Sequence, residues 1–178
     1  VDEAIMLTID FGSIPPGAQV TKIFFTSFQN GTSGANESND MIVGTDNADS
    51  ISTGDGNDTI FDLGGNDTVG AGNGNDTIIA GGGSDTYDGE VGVDTLDYRN
   101  SNAISADFGS GRVTISGTAE VDNFSGIEGI AGSSAADTIT GGSGSETLTG
   151  RGGADSLQGA GGGDTFAYVL PSDGDVRT

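Results

Sequence analysis

The sequence predicts an all-β fold assembled from a short repeat, and three observations carry that prediction. Aspartate falls at every ninth residue through one stretch: Asp49, Asp58, Asp67, Asp76, Asp85 and Asp94. An apolar residue stands two steps after each, at Ile51, Ile60, Val69, Ile78, Tyr87 and Leu96. Glycine recurs two steps before, at Gly56, Gly65, Gly74, Gly83 and Gly92, with Asn47 in the first copy. One apolar residue in nine is too sparse for a helix face, so each unit reads as a glycine-rich turn followed by a very short strand.

Glycine at a fixed place marks a backbone that must take positive φ or pass close to a neighbour, and asparagine is its usual substitute. Asn57, Asn66 and Asn75 beside those glycines fit that reading. A carboxylate following such a turn can join main-chain carbonyls, which the turn aims inward, in an all-oxygen cage. Calcium is the cation that takes roughly six to eight hard oxygens. The block recurs with acids at Asp137, Glu146, Asp155 and Asp164, followed two steps on by Ile139, Leu148, Leu157 and Phe166.

The pattern resembles the nonapeptide GGxGxDxUx, U being a large apolar residue, of the RTX (repeats-in-toxin) calcium-binding proteins. The copies "TGDGNDTIF", "AGNGNDTII" and "AGGGSDTYD" match it closely. The resemblance implies a right-handed parallel β-roll, a β-solenoid with two nonamers per coil and calcium ions between coils. The acid of one copy then sits over the acid two copies on. The implied metal ligands pair as Asp49 with Asp67, Asp58 with Asp76, Asp67 with Asp85, Asp76 with Asp94, Asp137 with Asp155 and Glu146 with Asp164, giving about six sandwiched Ca2+ sites. Inner acids such as Asp67 and Asp76 serve ions on both sides, whereas Asp94 serves one.

Backbone carbonyls implied as further ligands are those of Gly44, Asp46, Thr53, Asp55, Asp62, Gly64, Gly65, Gly72, Gly74, Gly81, Gly83 and Gly92 in the first block. The second block adds Gly150, Gly152, Gly153 and Gly162. Leu63, Glu90 and Arg151 replace glycine at position two, where a main-chain ligand tolerates a side chain that finds room outside. Glu146 departs more seriously, since its extra methylene is expected to push the carboxylate outward and weaken its site.

Around the repeats the chain divides by pattern. Residues 1–40 read as a β-rich flank plus linker: "AIMLTIDF" and "VTKIFFTSF" surround the turn "GSIPPGAQ", and "NGTSGANESND" is the linker. The two apolar runs are either the tail of a preceding β domain or a cap over the first coil, which a solenoid needs at its open apolar end. Residues 41–97 are the first nonamer block. Residues 98–131 break the register, because Asp137 follows Asp94 by 43 positions, two short of five nonamers. "AISADF", "RVTI" and "AEVDNF" keep a strand-like alternation. They read as longer, metal-free inserted coils with Ile104, Phe108, Val113, Ile115, Phe124 and Ile127 in the core; the rival is a hairpin bulging from the solenoid. Residues 132–168 are the second block, and 169–178 a truncated C-terminal flank.

Composition narrows the function classes. With 34 glycines, no tryptophan and 33% apolar residues among 178, the chain cannot fill a large core, and 27 acids against five bases give a net charge of −22. Without metal, such a composition reads as disordered. Coils stacked ~4.8 Å apart set like charges in columns, repelling by about 3 kcal/mol per neighbouring pair at an effective dielectric near 20. A divalent ion between coils turns that repulsion into attraction. The acid excess disfavours nucleic acid and anionic membrane as partners, and no run approaches the ~18 apolar residues of a membrane span. With no cysteine there is no disulfide, so metal must supply the staple. No His, no Cys and no HExxH leaves no catalytic constellation, and the module reads as non-enzymatic.

The resemblance implies a monomeric calcium-binding module of a large secreted bacterial protein, located outside the cell or on its surface. It further implies passage through the type I secretion apparatus unfolded, then folding on calcium. The β-rich residues 1–39 favour a surface adhesin or S-layer-like parent. The alternatives are the C-terminal roll of a secreted exoenzyme (protease, lipase or epimerase) and an ice-binding solenoid.

Overall fold

A computed structural model of the chain describes residues 22–25, 32–34 and 39–167. Short strands and no helix occur among them. Strands β1 (Lys22–Phe25) and β2 (Thr32–Gly34) come first. The first block supplies β3 (Asp40–Val43), β4 (Ser50–Ser52), β5 (Thr59–Phe61), β6 (Thr68–Gly70), β7 (Thr77–Ile79), β8 (Thr86–Asp88) and β9 (Thr95–Asp97). The middle segment holds β10 (Ile104–Asp107), β11 (Arg112–Ile115), β12 (Val121–Ser125) and β13 (Gly129–Ala131). The second block ends the series with β14 (Thr138–Thr140), β15 (Thr147–Thr149), β16 (Ser156–Gln158) and β17 (Thr165–Ala167).

Successive strands of the repeat alternate between two sheets. One runs β1-β3-β5-β7-β9-β13-β15-β17 and the other β16-β14-β10-β11-β12-β8-β6-β4-β2. The register is set by the repeat: Ile60 faces Ile78 and Val69 faces Tyr87, both in parallel pairs. Partners are thus two nonamers apart, and the chain is a parallel β-solenoid of about seven turns. Three-residue strands suffice because one inward residue at the middle of each carries the core. Ile60, Ile78, Tyr87, Leu96, Ile139 and Leu148 are fully buried, each contributing about 2 kcal/mol. The threonines before them sit on the outer surface, where a β-branched side chain suits the pleat. At the last described strand the core opens, with Phe166 41% exposed.

Upstream, β1 pairs with β3 and β2 with β4, both parallel, so the stack extends before residue 41. The stretch "NGTSGANESND", expected as linker, therefore supplies strand β2. The run "AIMLTIDF" and residues 169–178 lie outside the described residues.

The middle segment departs from the expectation of inserted coils. Strand β11 is antiparallel to both β10 and β12, while β12 runs parallel to β8 and β10 parallel to β14. The segment is thus a meander set in the plane of the second sheet, neither a longer coil nor a hairpin bulging outward. Its turns explain the reversal. Gly111 (φ 62°) and Gly117 (φ 82°) take left-handed conformations, and Asp107 Oδ1 accepts the Gly109 N–H at 2.9 Å. Strand β13 then resumes the coil between β9 and β15. The core residues expected of the segment do pack inward: Ile104, Val113, Ile115 and Ile127 are buried, and Phe108 and Phe124 lie against the core as an edge-to-face pair with centroids 5.3 Å apart.

Candidate metal centre

Turns join the two sheets along two edges, and each edge carries a column of acids. Asp49, Asp67 and Asp85 precede β4, β6 and β8; Asp58, Asp76 and Asp94 precede β5, β7 and β9. The columns are built by one repeated hydrogen bond, in which Oδ1 of each acid accepts the backbone N–H of the acid one coil earlier. Asp67 takes the Asp49 N–H at 2.8 Å, Asp76 the Asp58 N–H at 2.7 Å, Asp85 the Asp67 N–H at 2.8 Å and Asp94 the Asp76 N–H at 2.8 Å. Asp155 takes the Asp137 N–H and Asp164 the Glu146 N–H, both at 3.0 Å. Every acid pair read from the sequence is therefore juxtaposed.

The second oxygen of the central acids is left open. Asp58, Asp67, Asp76 and Asp94 each bury an Oδ2 that has no hydrogen-bond donor. A buried carboxylate oxygen without a donor is costly, and a cation is the partner that meets several at once. Burial drives these carboxyls up: Asp67 is pushed to about 7 and Asp76 to about 6, neighbouring acids adding to the rise and the backbone N–H bonds opposing it. Asp58, Asp85 and Asp94 rise for the same first cause. Hard oxygens, stacked charge and missing donors fit a calcium ion.

The turns between the acids carry the predicted carbonyls. Glycine is required at position four because φ is positive there, at 139° in Gly56, 142° in Gly74 and 140° in Gly83. A Cβ on Gly74 would also collide with the Gly56 carbonyl oxygen, and one on Gly92 with that of Gly74. Position two is left-handed in six of the ten copies, Gly54 (φ 92°), Gly72 (φ 95°) and Ala160 (φ 63°) among them. Leu63 (φ 70°), Glu90 (φ 63°) and Arg151 (φ 67°) hold that conformation despite their side chains, so these departures are strained rather than merely accommodated. The Gly72 carbonyl accepts the Val91 N–H at 3.0 Å, which leaves it one lone pair for an ion.

Asp49, Asp137 and Glu146 are held differently. Asp49 Oδ2 accepts the Thr45 N–H at 2.6 Å, and Asp137 Oδ2 the Ser133 N–H at 2.7 Å. Glu146 does not swing outward as expected; it is buried and folds back, its Oε1 accepting the Gly144 N–H at 3.0 Å and Oε2 the Gly142 N–H at 3.2 Å.

Three further acids join the columns that sequence reasoning had not assigned there, and a fourth, Asp62, lies near Asp67 and Asp85. Asp40 precedes Asp49 by nine residues with Ile42 two steps on, and its N–H donates to Asp58 Oδ1 at 2.7 Å. That signal was legible, but the sequence from Ala35 to Asn39 has no glycine where the repeat has it. Asp122 accepts the Asp85 N–H and Glu128 Oε2 the Asp94 N–H, each at 3.0 Å. Asp94 is therefore not the end of its column, contrary to the expectation. Asp122 sits off the nine-residue period, which hid it; Glu128 stands nine residues before Asp137, with Gly126 two steps before and Ile130 two steps after, so its signal was legible and was missed. Asp62, expected to offer only a carbonyl, buries its whole side chain. Burial first, and nearby Asp85, push its carboxyl to about 6 against the Tyr87 hydrogen bond.

Comparison with known proteins agrees with this geometry. The family described as the RTX calcium-binding nonapeptide repeat matches residues 34–69, 62–96 and 130–166, more than half of the chain. No curated protein matches it. With that coverage, a two-nonamer coil and columns of buried acids at the turns, the chain belongs to the RTX calcium-binding nonapeptide repeat family.

Proposed function

We propose that this roll is the calcium-dependent folding module of a large exported bacterial protein, most simply a surface adhesin or S-layer-like protein secreted by a type I apparatus. The observation that supports it is the set of buried carboxylate oxygens without donors, repeated one coil apart on both edges. About six ions would sit between stacked turns, held by the acid pairs and the turn carbonyls named above. When bound, calcium supplies the positive charge those oxygens need. The chain's own residues do the rest: Oδ1 of each acid fixes the coil spacing through a backbone N–H, and the glycines let the turns approach.

Cytosolic calcium lies far below the affinity expected of such sites, roughly 10⁻⁴ to 10⁻³ M, so the chain would stay unfolded until it reaches millimolar calcium outside. At a free concentration ~10 times the dissociation constant, each of six sites adds about 1.4 kcal/mol, or ~8 kcal/mol in all, comparable to the net stability of an ordinary domain. Circular dichroism checks this. The β signal should be small in chelator and full at millimolar calcium, and magnesium should not replace calcium because it demands a tighter octahedron. Equal β signal with and without calcium would reject metal-driven folding.

A further inference from the structure

We propose that Asp62 places a third carboxylate in the site between the turns 62–66 and 80–84, making it the tightest site of the array and the first to take calcium. The inference rests on calcium filling the turn sites as set out above. Asp62, Asp67 and Asp85 are all buried, and each offers a carboxylate oxygen within 4.8 Å of the others'. Asp67 and Asp85 are an ordinary stacked pair of the repeat. Asp62 is not: it stands at position one of its nonamer, where the other nine copies have Gly, Ala or Thr.

The side chain is aimed into the site and held there. Asp62 Oδ1 and Asp67 Oδ2 are both buried without a donor. Asp62 Oδ2 accepts the Tyr87 hydroxyl at 2.5 Å, and the same hydroxyl lies 3.0 Å from Asp85 Oδ2. Tyr87 is itself fully buried, so the phenol holds two of the three acids while Asp62 Oδ1 stays without a donor. No ion pair reaches any of the three among the described residues, since Arg99 and Arg151 both hold Asp97. Three carboxylates with one phenol and no built-in cation require a charge from outside. Affinity in oxygen cages rises with the number of charged ligands, so this site should fill before its two-carboxylate neighbours.

Terbium(III) occupies calcium's oxygen sites and luminesces when a neighbouring phenol passes on excitation energy, so Tyr87 makes this site readable. In the wild-type chain, tyrosine-excited luminescence should rise with the first molar equivalent of terbium, be displaced by calcium, and be mostly lost in Tyr87→Phe. Asp62→Asn keeps an amide oxygen for the Tyr87 hydroxyl but removes the charge; it should raise the calcium concentration of the first binding step about tenfold. Asp107→Asn, an exposed acid on the inserted meander, should leave that step unchanged. Luminescence that lags behind several bound equivalents overturns the proposal, as does a first step unchanged in an Asp62→Asn chain that still folds at saturating calcium. Should that variant fail to fold, the order of terbium filling in the wild type decides. Calcium-driven folding that persists through those negative results leaves the functional reading standing, whereas no calcium uptake in a calorimetric titration removes both.

Discussion

Replacing Asp76 by alanine should be among the most damaging single changes in the roll, by an amount that the structure divides in two. Asp76 Oδ1 accepts the buried Asp58 N–H at 2.7 Å, and its loss leaves that donor unpaired at a cost of about 1–3 kcal/mol. Asp76 also stands between two stacked neighbours, since its own N–H donates to Asp94 Oδ1. Two ion sites therefore lose a ligand, worth together about 3 kcal/mol at a tenfold excess of calcium over the dissociation constant. The total is about 4–6 kcal/mol, whereas Asp76→Asn keeps an acceptor for Asp58 and should lose only the calcium part. Urea unfolding at fixed millimolar calcium, run beside a calcium titration of each variant, separates the two contributions. Asp94→Ala should match Asp76→Ala, because Asp94 caps Asp76 and passes its own N–H to Glu128 Oε2. A much milder Asp94→Ala, or an Asp76→Ala chain with an unshifted calcium midpoint, would refute the column argument.

Two further outcomes follow from the same geometry. Asp67, Asp62 and Asp76 have carboxyls raised by burial to about 7, 6 and 6, so the metal-free roll binds protons that the unfolded chain, near 3.8, does not. Its stability should grow as pH falls from about 7 toward 4 and be lost as pH rises through about 7; calcium, which needs the ionised acids, should show the opposite trend. Circular dichroism of calcium-stripped protein at pH 5 and pH 8 tests this, and more β signal at pH 8 would contradict it. Leu63 is strained at φ 70° and 45% exposed, so Leu63→Gly should stabilise the calcium-bound roll by about 0.5–1 kcal/mol after the greater freedom of the unfolded chain is counted. Gly74→Ala should do the reverse and more strongly, since its Cβ would strike the Gly56 carbonyl; equal urea midpoints for the two variants would show that turn strain is unimportant.

The strands, the inward residues and the acid pairing of the first block were legible because each depends on a period that local chemistry repeats. Ile60 over Ile78, and Asp76 over Asp94, need only the two-nonamer coil that the resemblance supplied. What was hidden depends on contacts outside the period. Asp62 and Tyr87 lie 25 positions apart and meet only because the sheets fold a turn of one copy over the core residue of another. The antiparallel β11 escaped because "AISADF" and "RVTI" alternate alike whether they form coils or a meander; alternation reports which face is buried, not strand direction. Leu63, Glu90 and Arg151 were read as harmless since a carbonyl ligand ignores its side chain, but their turns take positive φ there, and backbone conformation is what a side-chain argument overlooks.

The interruption shows how the roll crosses a stretch where the nine-residue supply of acids stops. Asp122 continues one column, yet both its oxygens are taken: Oδ1 by the Asp85 N–H at 3.0 Å and Oδ2 by the Tyr98 hydroxyl at 2.8 Å. It keeps the coil spacing without leaving an oxygen open, which is what separates it from Asp67 and Asp76. One residue before Tyr98, Asp97 is buried at the end of β9 and gripped by two arginines, Arg99 Nε at 2.8 Å and Arg151 at 2.7 Å, while Arg151 also donates to the Gly132 carbonyl at 2.8 Å. Burial would raise the Asp97 carboxyl, but the Arg151 and Arg99 bonds outweigh it and hold it below the usual range. Arg151 comes from the turn of the second block and reaches back across the insertion, so a fixed guanidinium joins the two blocks with a charge-assisted bond. It does so from a strained position-two backbone, which gives the departure from glycine a structural reason that Leu63 and Glu90 lack. The seam is thus closed by a tyrosine and two arginines, and among the described residues the open oxygens all lie on one side of it, between Asp40 and Asp94.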